Sequence, residues 1–151
     1  MSLDFKGWQR IDANHMKALF QTKTSYYSYT GSQTTTSATF VSLPSGAAVS
    51  FTKLYTVTQL RIEYFTYPWI TGAVSTAIEY AMLINGTDYT IAAILRNELG
   101  LRDLMSGVLY CAGGLAAGTY TIQPRWRRSA GTGTANMDAT TKSILVVMEA
   151  R

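Results

Sequence analysis

The chain of 151 residues contains one cysteine, one histidine and three prolines, and only 15% of it is charged. Each shortage excludes something. Cys111 stands alone, so neither an intrachain disulfide nor a cysteine-built zinc site can form. His15 is the sole histidine, so any Ser-His-Asp or Cys-His device would have to use it. It falls in the first turn of a predicted helix and reads as a partly exposed helix residue. One histidine, one cysteine and scattered carboxylates do not supply a transition-metal site. Glycosidase chemistry needs two carboxyls facing each other across a bond, whereas Glu63 and Glu79 fall on outward positions of separate predicted strands. Neither a G-x-x-x-x-G-K-[ST] loop nor a G-x-G-x-x-G fingerprint is present. Gly131-Thr132-Gly133 lacks the strand-then-helix context and reads as a flexible hairpin loop. The expectation is a protein with no catalytic residues, no cofactor and no metal. No apolar run approaches the ~20 residues that span a bilayer, so membrane insertion is not expected. Asp4, Lys6, Arg10, Asp12 and Lys17 interrupt any signal-peptide core, so synthesis in a reducing cytoplasm is expected. For the same reason Asn85-Gly86-Thr87 reads as a turn rather than a glycosylation site.

What is present is 47% hydrophobic and 12% aromatic residues, enough for one domain with a real core. The net charge is +4 with a pI near 9.3. The basic residues are scattered, several beside acids, such as Arg61 near Glu63 and Arg102 next to Asp103. Arg125, Arg127 and Arg128, interleaved with Trp126, form the one cluster. That falls short of the compact basic footprint of a nucleic-acid binder, and the excess reads as a solubility feature. An ordinary domain is about 25% charged; here 21 threonines take over much of the surface. Threonine suits the half-exposed face of a sheet. The composition is that of an all-β protein with neutral, hydroxyl-rich surfaces, as in shell, fibre and adhesion modules.

Along the chain, Ile11–Gln21 predicts a short helix. Asp12 can cap it, Ile11 and Met16 form a hydrophobic staple, and Met16, Leu19 and Phe20 share one face. Phe5 and Trp8 lie upstream. One short helix does not hold itself together in water, so this apolar set must bury against the domain, a sister chain or another protein. From Tyr26 the period changes to two. Tyr26–Thr36 reads as an exposed strand or loop, and Phe40–Leu43 as a short strand ending at Leu43-Pro44-Ser45-Gly46. Leu54–Phe65 is a long strand with Leu60, Ile62 and Tyr64 on one face, broken by Tyr67-Pro68-Trp69. Ala77–Ile84 and Thr87–Leu95 flank Asn85-Gly86, a hairpin signal. Arg96–Leu104 reads as a loop or helical turn, Met105–Ala112 as a strand. Gly118–Trp126 alternates with Tyr120, Ile122 and Trp126 inward. Ser129–Asn136 reads as a polar loop, and Ser143–Glu149 as a central strand buried on both faces. Seven to nine evenly punctuated strands predict a jelly-roll β-sandwich over residues 25–151, preceded by an arm with a short helix over residues 1–24.

Two features admit a recognition role. Arg125, Arg127 and Arg128 fit either a solvent face or a subunit interface, where arginine forks bind carboxylates. Tyr26, Tyr27 and Tyr29, with Tyr67 and Trp69, fit a half-exposed strand or an adaptable recognition surface.

The segments Gly114–Arg127 (GLAAGTYTIQPRWR), Gly131–Thr134 (GTGT) and Thr141–Glu149 (TKSILVVME), with the hairpin Ile84–Tyr89 (INGTDY), resemble the jelly-roll domains of tailed-phage virion structural proteins. These include head-decoration, minor tail and fibre proteins. The pattern is also similar to the C1q/tumour-necrosis-factor type of trimeric jelly roll, and Ile11–Leu19 is similar to short helices that precede such domains in phage fibres. The resemblance implies a non-enzymatic virion-surface module assembled in the host cytoplasm, a homotrimer partnered by capsid or tail proteins. Phe5, Trp8, Ile11, Met16, Leu19 and Phe20 would anchor it to the particle. The alternative it implies is a minor tail, fibre or receptor-binding module that contacts host surface glycan or protein.

Overall fold

A computed structural model describes residues 24–29, 31–43, 48–111, 115–137 and 143–150. The predicted helix, His15 and the six apolar arm residues lie outside the described residues. So do residues 44–47, which hold most of the Leu43-Pro44-Ser45-Gly46 turn.

Among the described residues every element is a strand. In chain order they are β1 (Thr24–Tyr29), β2 (Gln33–Thr35), β3 (Val41–Ser42), β4 (Val49–Lys53), β5 (Gln59–Thr66), β6 (Trp69–Thr71), β7 (Thr76–Ile84), β8 (Thr87–Arg96), β9 (Met105–Cys111), β10 (Gly118–Ala130), β11 (Thr134–Met137) and β12 (Ser143–Ala150). One sheet runs β1-β12-β5-β9. The other runs β3-β10-β7-β8, with β4 continuing β3 along the same edge of β10. All pairs are antiparallel. With β3 and β4 counted as one interrupted strand, the main strands number eight. Their order is first-eighth-third-sixth in one sheet and second-seventh-fourth-fifth in the other. That interleaving of two sheets is the jelly roll.

Alternation builds the core. Leu60, Ile62 and Tyr64 of β5 are buried, as are Tyr120, Ile122 and Trp126 of β10. Tyr80 of β7 bridges the sheets, its ring centroid 5.6 Å from that of Tyr64 and 5.9 Å from that of Trp126, both in tilted geometry. The β7–β8 hairpin turns on Asn85 and Gly86 with φ of +50° and +78°, the two positive values a type I′ turn requires.

Several expectations change. Twelve strands replace seven to nine, because the connections themselves pair: β2, β11 and β6 form a third, small sheet. The predicted strand Leu54–Phe65 begins only at Gln59, since residues 54–58 make a turn around the Glu149 carboxylate. Ser129–Asn136 is not one loop. β10 continues to Ala130 and β11 begins at Thr134. Nor is Gly131-Thr132-Gly133 a loose hairpin tip: the Gly133 N–H donates to Thr76 Oγ1 at 3.0 Å. A Cβ on Gly133 would lie 2.6 Å from the Ala73 carbonyl oxygen. Finally, β12 is central but buried on one face only. Leu145 and Val147 are 1% and 0% exposed, whereas Ile144, Val146 and Met148 are half-buried.

Candidate functional site

The register gives the sandwich two unlike ends. At one end lie the turns 54–58 and 85–86 and the start of β1, where Thr24 pairs with Met148. At the other end the connections after β1, β5, β8 and β10 gather. Three of them contribute β2, β6 and β11 to the small sheet. The fourth, residues 97–104, is a loop strapped against it.

The strap is specific. Arg96 is 5% exposed, and its guanidinium donates to Asp103 Oδ2 at 2.6 Å, to the Asp103 carbonyl at 3.2 Å and to the Pro68 carbonyl at 3.2 Å. The Gly100 N–H donates to the Ile70 carbonyl of β6 at 2.9 Å. Arg102 lies over the Trp69 ring, 4.3 Å from its centroid. Ser75 Oγ and Asn97 Oδ1 are 3.3 Å apart. The end of β8 and this segment nevertheless turn leucines outward: Leu95, Leu99, Leu101 and Leu104 are 58%, 54%, 42% and 52% exposed. The leucines are thus exposed on a stretch of chain held by hydrogen bonds to β6 and to the Arg96 guanidinium. Sequence reading passed over these leucines. Their signal was three leucines in six residues of a stretch that reads as a loop or helical turn.

The arginine cluster lies on β10. Arg125 pairs with Asp88 at 2.7 Å and also donates to the Phe40 carbonyl. Arg127 donates from Nε and Nη2 to Glu79 Oε2 at 2.8 and 2.6 Å, and its guanidinium sits 4.5 Å from the Phe40 ring centroid. Thr90 adds a hydrogen bond to Glu79 at 2.8 Å. Arg128 donates to the Gly133 carbonyl at 3.1 Å. All three therefore carry partners within the chain, across β10, β7 and β8 and their loops. Glu63 pairs with Arg61 on the other sheet, so Glu63 and Glu79 each face an arginine rather than each other.

Of the tyrosines, Tyr26, Tyr27 and Tyr29 lie on β1 opposite Val146, Leu145 and Ser143. Tyr67 and Trp69 are both half-buried, and Arg102 occupies a face of Trp69. Cys111 ends β9, partly buried against the core, and burial pushes its thiol pKa up. No group of three metal-ligating side chains occurs among the described residues.

No family model matches the chain, and no curated protein matches it in sequence. Among solved structures it is similar to the VP2 subviral particle of infectious bursal disease virus. The match has 10% identity and a TM-score of 0.47, over 85% of this chain and 38% of that one. It is similar to the baseplate tripod of bacteriophage Tuc2009, with 15% identity and a TM-score of 0.44, over 98% and 72%. It is also similar to Eiger TNF from S. frugiperda, with 12% identity and a TM-score of 0.33, over 78% and 91%. The jelly-roll assignment rests on the strand order itself and not on these distant likenesses.

Proposed function

We propose that the chain is a non-enzymatic structural protein of a tailed-phage virion: a surface module that self-associates as a trimer and is seated on the particle by its N-terminal arm. The observation that carries self-association is the strapped segment with Leu95, Leu99, Leu101 and Leu104. Each large apolar side chain moved out of water contributes ~1.5–3 kcal/mol when fully buried. Four on a rigid support make a strong driving force for association. The virion assignment draws on the sequence resemblance. Its motif segments fall on β10, on the turn of the β7–β8 hairpin and on β12. In head decoration such a module would clamp neighbouring subunits and stabilise a shell by added binding energy.

Native mass by light scattering tests the trimer. A value near three times 16.6 kDa is expected. Leu99→Asp with Leu101→Asp should give a folded monomer, its melting temperature lowered by no more than the loss of association accounts for. A wild-type monomer at micromolar concentration overturns the trimer.

The receptor-binding reading is favoured by one observation. The small sheet and leucine segment lie at the end of the sandwich opposite the start of β1. A module held by its arm would present them outward. The leucine chemistry fits a protein surface better than a glycan.

A further inference from the structure

We infer that the β8–β9 side of the sandwich turns toward the axis of the trimer, so that the leucine segment of one copy meets the Val108–Tyr110 flank of the next. This deepens the self-association reading and rests on it.

The case begins with area. Leu95, Leu99, Leu101 and Leu104 are each about half exposed. At roughly 100 Å² apiece they offer on the order of 400 Å², whereas a stable interface covers about 800 Å² on each partner. A ring asks for more still. Each member of a cyclic trimer touches two neighbours through two unlike surfaces, because a contact that closes into a ring is heterologous. The leucine segment therefore needs a second surface of the same chain to meet.

The register supplies one. β8 and β9 are the end strands of their sheets, and residues 97–104 join them. Leu95 lies opposite Ala77, on the outer face of the β3-β10-β7-β8 sheet. Val108 and Tyr110 lie opposite Glu63 and Arg61, on the outer face of the other sheet. They are 47% and 54% exposed, the next large apolar side chains exposed along the chain after Leu104. Apolar surface thus wraps the β8–β9 side, with one flank on each sheet. In a trimer each copy has two neighbours, one for each flank. The turn bearing Leu54, Tyr55 and Val57 is also exposed, but it lies at the opposite end of the sandwich. Joining it to the leucine segment would stack copies into a filament rather than close a ring.

The two flanks are held together, and their chemistry suits a second copy. Gly107 of β9 presses on β8: a Cβ there would lie 2.6 Å from the Ile91 carbonyl oxygen. Neither residues 89–95 nor residues 104–111 include a charged side chain, and the core of an interface is depleted of charge. Arg61 and Glu63 pair with each other, so closing the contact strands no lone charge. Arg61 also lies 5.7 Å from the centroid of the Tyr110 ring, and tyrosine is a residue on which interface energy concentrates.

The test places a photo-crosslinking benzoylphenylalanine at position 110 of the full chain. Position 110 is six residues along β9 from Leu104, roughly 20 Å away, so the leucines of its own chain are out of reach. The expected product is a covalent dimer on a denaturing gel, joined within residues 95–104 by peptide mass spectrometry. The same probe at position 57 should give no such product. Val108→Lys with Tyr110→Ser, which sets a cation opposite Glu63, should weaken association at least a hundredfold and give a monomer by light scattering where the wild type is a trimer. The crosslink reads the contact without that variant, so it decides the question even if the variant fails to fold. A wild-type trimer whose crosslinks from position 110 are absent, or fall outside residues 95–104, overturns this contact and leaves self-association standing. A wild-type monomer overturns both.

Discussion

Glu149 shows how one side chain fixes a segment distant in sequence. It is 5% exposed. Its carboxylate accepts the Leu54 and Tyr55 N–H groups at 2.8 Å each, and the Thr58 hydroxyl as well. Lys53, 1% exposed, donates to the Tyr55 carbonyl from the same turn. Burial alone would raise the Glu149 pKa. Donation from Thr58, Leu54 and Tyr55, together with the Lys53 charge, outweighs burial and holds it below the ordinary value. A carboxylate whose folded pKa is lowered contributes stability that is full above its unfolded pKa of about 4.3. That contribution is lost as pH falls through the folded value. Glu149→Gln keeps the shape but weakens charge-assisted hydrogen bonds worth about 1.5–3 kcal/mol each. We expect it to destabilise the domain by about 2 kcal/mol at neutral pH, and to flatten the acid limb of stability below about pH 4. Urea unfolding of both proteins across pH 3–7 checks this; an unchanged acid limb would assign the loss of stability to other carboxylates.

At the scale of elements, the β10–β11 turn is the tightest junction. Gly133 packs on residues 71–76, where an added Cβ would lie 2.5 Å from Thr76 Oγ1, 2.6 Å from the Ala73 carbonyl oxygen and 2.9 Å from the Thr71 carbonyl oxygen. Backbone cannot yield as a flexible side chain does, so Gly133→Ala should cost about 1–3 kcal/mol by overpacking. Thr132→Ala beside it, at an exposed position, should cost nothing measurable; thermal melts of the pair decide. This junction also shows what sequence could convey. Alternation placed Leu60, Ile62, Tyr64, Tyr120, Ile122 and Trp126 inward, and Asn85-Gly86 located its hairpin, because both signals are local. A glycine pressed on another connection reads as a flexible one until the distant chain is placed beside it. The apolar run of β12 has the same ambiguity. Ile144, Val146 and Met148 are apolar whether a face is buried by its own sheet's neighbours or by something outside the described strands. The pairing of β1 with β12, across more than a hundred residues, leaves no local mark at all. For Arg125 and Arg127, sequence located the cluster but not Asp88 and Glu79, which only the β7–β8–β10 register brings within reach.

For the whole molecule, the two ends of the jelly roll define a direction. The arm joins at Thr24, near the 54–58 turn, while the small sheet and the leucine segment lie at the opposite end. The eight main strands of the jelly roll lie between Thr24 and Ala150 and carry a buried core from Leu43 to Val147. Removing residues 1–20 should therefore leave a folded β domain. Its trimer should persist, because Leu95, Leu99, Leu101 and Leu104 are untouched. Incorporation into particles should fall to background under the proposed anchoring by the arm. The two readouts separate the parts of the proposal. Normal incorporation of the truncated chain would refute the arm as anchor. Loss of the trimer would move the subunit contact from the leucine segment to the arm.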